Sequence, residues 1–526
     1  MFRRAGPPAW LLIALAIGLW GGGYLRRGLW EPDEARYAYV AREMREGGHW
    51  FIPHLHGEPY PDKPPLMFWL INAASALTGG EINGVSARLP SLLGAILALW
   101  VTARLLERWR DAPAAWRATG VLMTAYLFWW EGGWGQIDAL LCGLELMSLW
   151  FFFTSHEDGQ SWRAGFAHVF AGLAVLAKGP VGLVVPYGVY LAVTWAAGEA
   201  PRLKRWHWLW GTLLALALPG AWLGLAWRQG APPEYFAAMF GAKSFGRVIH
   251  DHHAQPFYYY LSSFPVDFLP WTIFLPAAYK GLGPGWPRRR LLAWGLFVVG
   301  LFSLIVGKRN LYILPAFPAA AMLIAAGWDG MAGLSRRWTG ITGGLAMGLV
   351  GLIGAAEAVA VFHPKTPVPG GVLAPGAVIM VAGAAALIWF FQRERLSARW
   401  FGCLAGVLFA HQIALATLVL PAVNPLKAPV ELAAEARGRL DPGQPVYVYR
   451  DQLAIVALYV GHPGRYLREP EEVEAVVARG GYGVIVFDRE DWESMALRFS
   501  TRVRARPFKM GGKNLVWIDF PPPAGR

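Results

Sequence analysis

Thirteen apolar stretches dominate this chain, and they leave few folds open to it. They run near residues 8–28, 87–106, 116–133, 137–154, 164–177, 180–197, 207–227, 261–279, 290–307, 310–328, 339–362, 371–391 and 400–421. A helix that crosses a bilayer needs about 20 mostly apolar residues. Of the 526 residues, 55% are hydrophobic and 16% charged, where a soluble domain carries about a quarter charged residues. The mean hydropathy is +0.34. The fold class expected is an all-α polytopic membrane protein with about thirteen transmembrane helices. Leu66 to Leu77 is apolar but short, and is expected at the interface. No parallel or inverted internal repeat is visible.

The net charge of +13 falls where membrane topology would put it. With Arg3 and Arg4 in the cytoplasm, alternation makes cytoplasmic loops of 104–117, 156–163, 202–205, 280–290, 336–337 and 393–399. Each holds Arg or Lys, in clusters except for the single Arg163 of 156–163, as the positive-inside rule requires. That accounts for the charge without nucleic acid, and no nucleic-acid motif is present. Cys142 and Cys403 lie in apolar segments and read as small buried hydrophobes. The composition changes after Pro425. Strands near 445–450, 482–487 and 514–520 alternate with helices near 452–460 and 469–478, which predicts a small α/β domain. The domains expected are 1–424, in the membrane, and 425–526, outside the cytoplasm. Two other outer segments, 30–86 and 228–260, are too long for turns, and loops of that length are usually functional.

The charged motifs gather on the outer side. The first loop holds Asp33, Glu34, Arg36 and Tyr37, then Lys63-Pro64-Pro65. Next come Gln136 and Asp138, then Lys178-Gly179-Pro180. The fourth loop holds Arg247, the run His250 to His253, and Tyr258 within Gln255 to Tyr260. The fifth holds Lys308 and Arg309. Lysines stabilise a phosphate leaving group, a carboxylate takes a proton from an attacking hydroxyl, and apolar walls suit a lipid tail. Each residue also has a plainer reading. Asp33-Glu34 serves as an N-terminal charge pair for a helix, the lysines as interfacial snorkellers, and Asp138 as a cap. Adjacent histidines do not share a helix face, so the His cluster reads as solvated and no metal site is assigned. Glu145 and Glu357 are intramembrane acids, functional candidates by default. His411 and Gln412 are expected to bond between helices, and Trp129, Trp130 and Trp134 to form an interfacial belt.

Taken in order, EPDEARY, PDKPP, QID, AKGP, HAQPFYYY and GKRNLYILP resemble the motifs of the polyprenyl-phosphate-sugar-dependent glycosyltransferases. The likeness is to the aminoarabinose transferase and protein mannosyltransferase type, membrane enzymes of GT-C architecture, and it covers roughly residues 1–424. One departure is Gly241-Ala242-Lys243, where the aminoarabinose branch has an acid–histidine pair. The resemblance implies a periplasmic active site in a bacterial inner membrane, with the N-terminus cytoplasmic and the C-terminal domain periplasmic. It implies inverting transfer from an undecaprenyl-phosphate sugar to a lipid A, lipopolysaccharide-type or other cell-envelope acceptor. Carried over, Asp33 and Asp138 are the catalytic acids, and Lys63, Lys178 and Lys308, helped by Arg309, hold the donor phosphate. Glu34, Arg36, Tyr37, Arg247, His253 and Tyr258 are further site candidates. If the acceptor is itself a phosphate, Asp33 would orient groups or bind a divalent cation instead. Partners expected are the lipid-linked donor, a lipid or protein acceptor and membrane lipids. The alternatives are a protein O-glycosyl(mannosyl)transferase with the same donor and a flippase of lipid-linked sugars. Against the flippase stand polar motifs at one interface and the lack of repeats.

Overall fold

The computed structural model describes residues 7–199, 207–241, 254–450, 453–479, 482–499, 503–510 and 512–520. The chain divides into two compact units. The first comprises Met1–Arg26, Pro61–Met67 and Arg88–Leu420, and the second Arg27–Tyr60, Phe68–Ala87 and Pro421–Arg526.

The first unit is helical. Among the described residues, seven helices are long and apolar enough to cross a membrane: Gly84–Trp109, Ile137–Asp158, Trp208–Arg228, Asn310–Ala332, Arg336–Phe362, Gly370–Glu394 and Ala398–Ala422. The other apolar stretches form shorter, broken or more polar helices. Ala9–Arg26, Ser161–Lys178, Val181–Ala196 and Trp286–Leu304 are continuous. Ala112–Thr124 breaks at the extended Ala125 before Tyr126–Gly132. Tyr259–Asp267 is followed by a 3-10 turn and then Leu275–Leu282. Breaks inside a bilayer survive only where protein satisfies the freed backbone groups. Tyr126 N donates to Leu269 O at 3.1 Å, and Gln412 Nε2 donates to Thr124 O at 3.1 Å. Trp271 Nε1 reaches Thr124 Oγ1 at 2.9 Å. Trp129 and Trp134 are buried inside the unit, so they pack the protein and form no belt there. Trp20 Nε1 bonds Trp129 O at 2.8 Å.

The second unit is built on a five-stranded sheet. A short hairpin precedes it, β1 (His54–Leu55) antiparallel to β2 (Glu58–Pro59). The sheet strands are β3 (Val446–Tyr449), β4 (Gly464–Leu467), β5 (Gly483–Asp488), β6 (Arg504–Met510) and β7 (Lys513–Phe520), in the order β4-β3-β5-β7-β6. β3 runs parallel to β4 and β5, with Val446 opposite Gly464 and Val448 opposite Val486. β7 is antiparallel to β5 and β6. Alternate side chains leave opposite faces of a strand. Val446, Val448, Val484 and Val486 join one core with helices Val430–Arg437 and Ala454–Val460. Tyr449, Ile485 and Phe487 join another with helices Pro470–Ala478 and Arg489–Phe499. The unit resumes at Pro421, close to the boundary expected at 425, and also takes in 27–60 and 68–87.

Candidate active site

The helix Asp33–Gly47 begins the first motif, with Asp33 and Glu34 in its first turn and Gly48 closing it in a left-handed conformation (φ 69°). Consecutive helical residues point about 100° apart, so the two acids separate. Glu34 is fully buried. It accepts from Arg27 Nη1 and Nη2 (3.1 and 2.8 Å) and from the backbone N–H of Trp30 (3.0 Å). Arg27 also lies 4.7 Å from the Trp30 ring. Glu34 is therefore a structural anchor with its acceptors occupied, and it does not stand ready to act on a substrate. Asp33 is 8% exposed. Arg36 is one turn along. Burial opposes its charge, but Tyr60, Glu31, Asp33 and Tyr37 outweigh that and raise its pKa. The first turn thus offers an acid beside a permanent cation. Tyr37 is buried with its ring 5.9 Å from Phe68. Glu31 caps a different helix: its Oε1 accepts from Ile455 N at 2.7 Å.

In the first unit, Asp138 lies in the first turn of Ile137–Asp158, where the cap residue is Gln136. Asp138 is no cap. Its carboxylate is hydrogen-bonded to Lys178 Nζ, the two side chains being 11% and 13% exposed. Lys178 ends Ser161–Lys178, and Gly179 takes φ 85° to turn the chain into the next helix. The ammonium sits 4.5 Å from the centre of the Tyr312 ring. Tyr312 belongs to the 3-10 segment Asn310–Ala316. That segment is tied down by Tyr260 Oη, which donates to Arg309 O at 3.1 Å. Asn310 Nδ2 donates to Asp267 Oδ1 at 3.3 Å. A cation held between a carboxylate and a ring face keeps its direction. Nζ has three donors, and an anion arriving beside Asp138 would compete for one of them.

Lys308 does something else. It is 5% exposed, and burial lowers its pKa. Its Nζ donates to Gln255 O (2.9 Å) and to Ile305 O (2.5 Å), the carbonyl just past the helix Trp286–Leu304. A bridge between Ala254 and Gly307 joins the same segments. Lys308 therefore fastens the 254–258 loop, and Tyr258 on that loop is 53% exposed. Lys63 belongs to the first unit and is half-buried in the turn before helix Leu66–Leu77. Arg247 and His253 lie outside the described residues. Among the described residues no group of three His, Cys, Asp or Glu side chains gathers to hold a metal ion. Of the other polar readings, His411 Nε2 meets Glu357 Oε1 at 2.7 Å. Glu145 is fully buried with neither carboxylate oxygen hydrogen-bonded among the described residues.

Comparison with known proteins places the chain. An undecaprenyl phosphate-alpha-4-amino-4-deoxy-L-arabinose arabinosyl transferase of Aeromonas hydrophila is 30% identical over 398 residues, 71% of this chain and 70% of that protein. This chain belongs to that family. The Pseudomonas fluorescens member of the same name, numbered 1, is 31% identical over 392 residues, 70% of this chain and 67% of its own. For the Edwardsiella ictaluri member the match is 30% over 363 residues and spans 62% of that relative. The chain thus spans less than two thirds of some of the family members it matches. A family model described as dolichyl-phosphate-mannose-protein mannosyltransferase matches residues 62–223, a range that contains Lys63, Asp138 and Lys178. The crystal structure of ArnT from Cupriavidus metallidurans bound to undecaprenyl phosphate shares the fold. Its TM-score is 0.81 at 22% identity, covering 97% of both chains. The family fold is a multi-pass helical membrane domain with a small strand-containing C-terminal domain, as the sequence implied. Tyr312 and Arg27 escaped the sequence reading. Tyr312 had a signal, its place in GKRNLYILP, but an aromatic in an apolar run reads first as core.

Proposed function

We propose that the protein is an integral inner-membrane glycosyltransferase acting on the periplasmic face. It transfers a sugar, with inversion, from an undecaprenyl-phosphate donor to a lipid A, lipopolysaccharide-type or other cell-envelope acceptor. The observation that carries this reading is membership of a family whose relatives are named for arabinosyl transfer from undecaprenyl phosphate-aminoarabinose. In this reading Asp33 takes the proton of an acceptor hydroxyl, with the Arg36 cation one turn along the same helix. Lys178, aimed by Asp138 and Tyr312, and Lys63 hold the donor phosphate as its charge grows on departure. Arg309 assists. Lys308 acts through the loop it fastens. If the acceptor is itself a phosphate, Asp33 orients groups or binds a divalent cation instead, and loss of transfer on chelation marks the second case. The N-terminus is cytoplasmic and the C-terminal domain periplasmic. The mannosyltransferase description of the 62–223 match favours one second reading, a protein acceptor with the same donor chemistry.

The test uses the protein in nanodiscs with radiolabelled undecaprenyl-phosphate sugars. Wild type should release undecaprenyl phosphate from one donor. Asp33→Asn should abolish transfer and leave folding intact, and Lys63→Ala should raise the donor KM steeply. Full activity of Asp33→Asn removes its role as base. Movement of labelled lipid between leaflets without turnover of any donor overturns the transferase.

A further inference from the structure

Tyr39 and Glu43 lie further along the helix Asp33–Gly47, past the first motif, and have no part in the chemistry above. Tyr39 is fully buried. Its hydroxyl donates to Glu43 Oε1 at 2.9 Å and accepts the N–H of Gly464 at 2.6 Å, at the start of β4. Glu43 Oε1 also accepts the N–H of Gly57 at 3.2 Å, in the turn of the β1–β2 hairpin. His56, 3% exposed, places its ring 5.1 Å from Tyr39 and 4.7 Å from Tyr466. Position 464 admits no side chain: a Cβ there would come within 2.0 Å of His56 Nδ1 and 2.9 Å of Tyr39 Oη. Arg42 lies 4.8 Å from the centre of the Tyr39 ring, and its Nη2 donates to Ala457 O (3.3 Å) and His462 O (2.9 Å). Residues 35, 39, 42 and 43 share one helix face, and Ala35 lies in the sheet core.

We propose that Tyr39 and Glu43 are positioning residues, locking the helix Asp33–Gly47 to β4 and the hairpin so that Asp33 stands where the reaction needs it. This rests on the reading of Asp33 as the base. The lead-in to the helix has its own anchors: Gly28 N and Trp30 Nε1 both donate to Asn424 Oδ1, at 3.0 and 2.9 Å. Those anchors leave tilt and rotation to be set further along. Asp33 and Glu43 are ten residues apart, about 15 Å of helix. A tilt of roughly 10° about the far anchor moves the carboxylate by about 2–3 Å, and a misplacement of about 1 Å can cost about a hundredfold in rate.

The lock also contains an acid that titrates near neutrality. Burial pushes Glu43 up to about 7 from its ordinary 4.5, against the pull of Tyr39, Gly57, Arg42 and the His56 backbone. The groups facing it are Tyr39 and Arg42 on its own helix and His56 on the hairpin. Burial, with Arg36 and Arg42, pushes His56 down to about 3, so His56 is neutral here. Between pH 4.5 and 7 the locked state holds a proton that an opened Glu43 would release. Opening therefore becomes easier as pH rises through that window and levels off above it.

The experiment follows kcat, donor KM and amide hydrogen exchange of peptides covering 54–60 and 462–467, on the full chain in nanodiscs. Tyr39→Phe and Glu43→Ala should speed exchange and lower kcat by about tenfold or more, with KM within about twofold. Glu43→Gln keeps the bonds and cannot ionise. It should recover most of kcat and lose the pH dependence of exchange between pH 5 and 7. Faster exchange with unchanged kcat in Tyr39→Phe and Glu43→Ala overturns the proposal, as does a Glu43→Gln exchange profile that still follows pH. If Tyr39→Phe fails to fold, the Glu43 pair decides alone. Asp33→Asn runs in parallel: its full activity would remove the base reading, whereas its loss beside active Tyr39 and Glu43 variants overturns the positioning role only.

Discussion

Asp33 and Glu34 are neighbours of like charge in opposite circumstances. Glu34 is fully buried and paired with Arg27. Truncating one member of a buried pair strands the other and costs about 3–5 kcal/mol. Glu34→Ala should therefore lower the melting temperature markedly, while the surviving folded fraction keeps its kcat. Asp33→Asn should do the reverse, and equal losses of both properties in both variants would contradict the division of roles. Sequence made the acid pair visible but could not sort it. The deciding partner, Arg27, reads only as an arginine at the edge of an apolar run, and its bond to Glu34 depends on how the chain enters the helix. A second residue-scale expectation concerns His56. Its pKa of about 3, against an ordinary 6.5, means the unfolded chain binds a proton that the fold refuses between those values. Stability from this group is present above 6.5 and lost as pH falls toward 3. His56 has φ 57°, a conformation that Asn tolerates. His56→Asn should flatten the acid side of the melting profile, measured from pH 4 to 7.

At the scale of elements, the placing of Asp138 depends on a close approach of two backbones. A Cβ on Gly94 would meet Ala139 O at 2.2 Å, and one on Gly143 would meet Gly94 O at 2.4 Å. Helices Gly84–Trp109 and Ile137–Asp158 thus touch through glycines, the small-residue packing that membranes favour. Gly143→Leu should force them apart, lowering the melting temperature and raising the donor KM, because Asp138 would carry Lys178 with it. An unchanged KM in a folded variant would show that the lysine is held from elsewhere. Elements were legible where one physical rule governed them. The apolar stretches all turned out helical because the bilayer admits little else. The missed strands obey weaker rules. β4 is four residues with Gly and Arg at its start, and β6 carries three cationic side chains and Pro507. Those are the marks of an edge strand protected from pairing, and they hide the alternation that distinguishes a strand.

For the whole molecule, the sidedness read from arginines has a structural counterpart within one helix. Ile137–Asp158 spans about 30 Å, with Asp138 and its lysine at one end. At the other end Glu157 and Asp158 meet Arg108, Asp158 meets Arg163, and Glu157 meets Arg290 at 3.1 Å. Arg290 reaches on to Glu199 at 2.7 Å, and His156 Nε2 lies 3.0 Å from the same carboxylate. Arginines collected by acids at one end resist translocation, and under the proposed function the opposite end would meet the donor. Orientation is then testable with an impermeant maleimide on cells whose outer membrane has been opened. Ser161 and Ser494 are both exposed, the first beside the arginine network and the second in the sheet domain. With the native cysteines replaced, Ser494→Cys should label in such cells and Ser161→Cys only after the inner membrane is broken. The opposite pattern would put the Asp138–Lys178 end in the cytoplasm, where the proposed periplasmic transfer could not occur. Labelling of both from outside would mean that the arginine clusters serve the ion network alone and do not report topology.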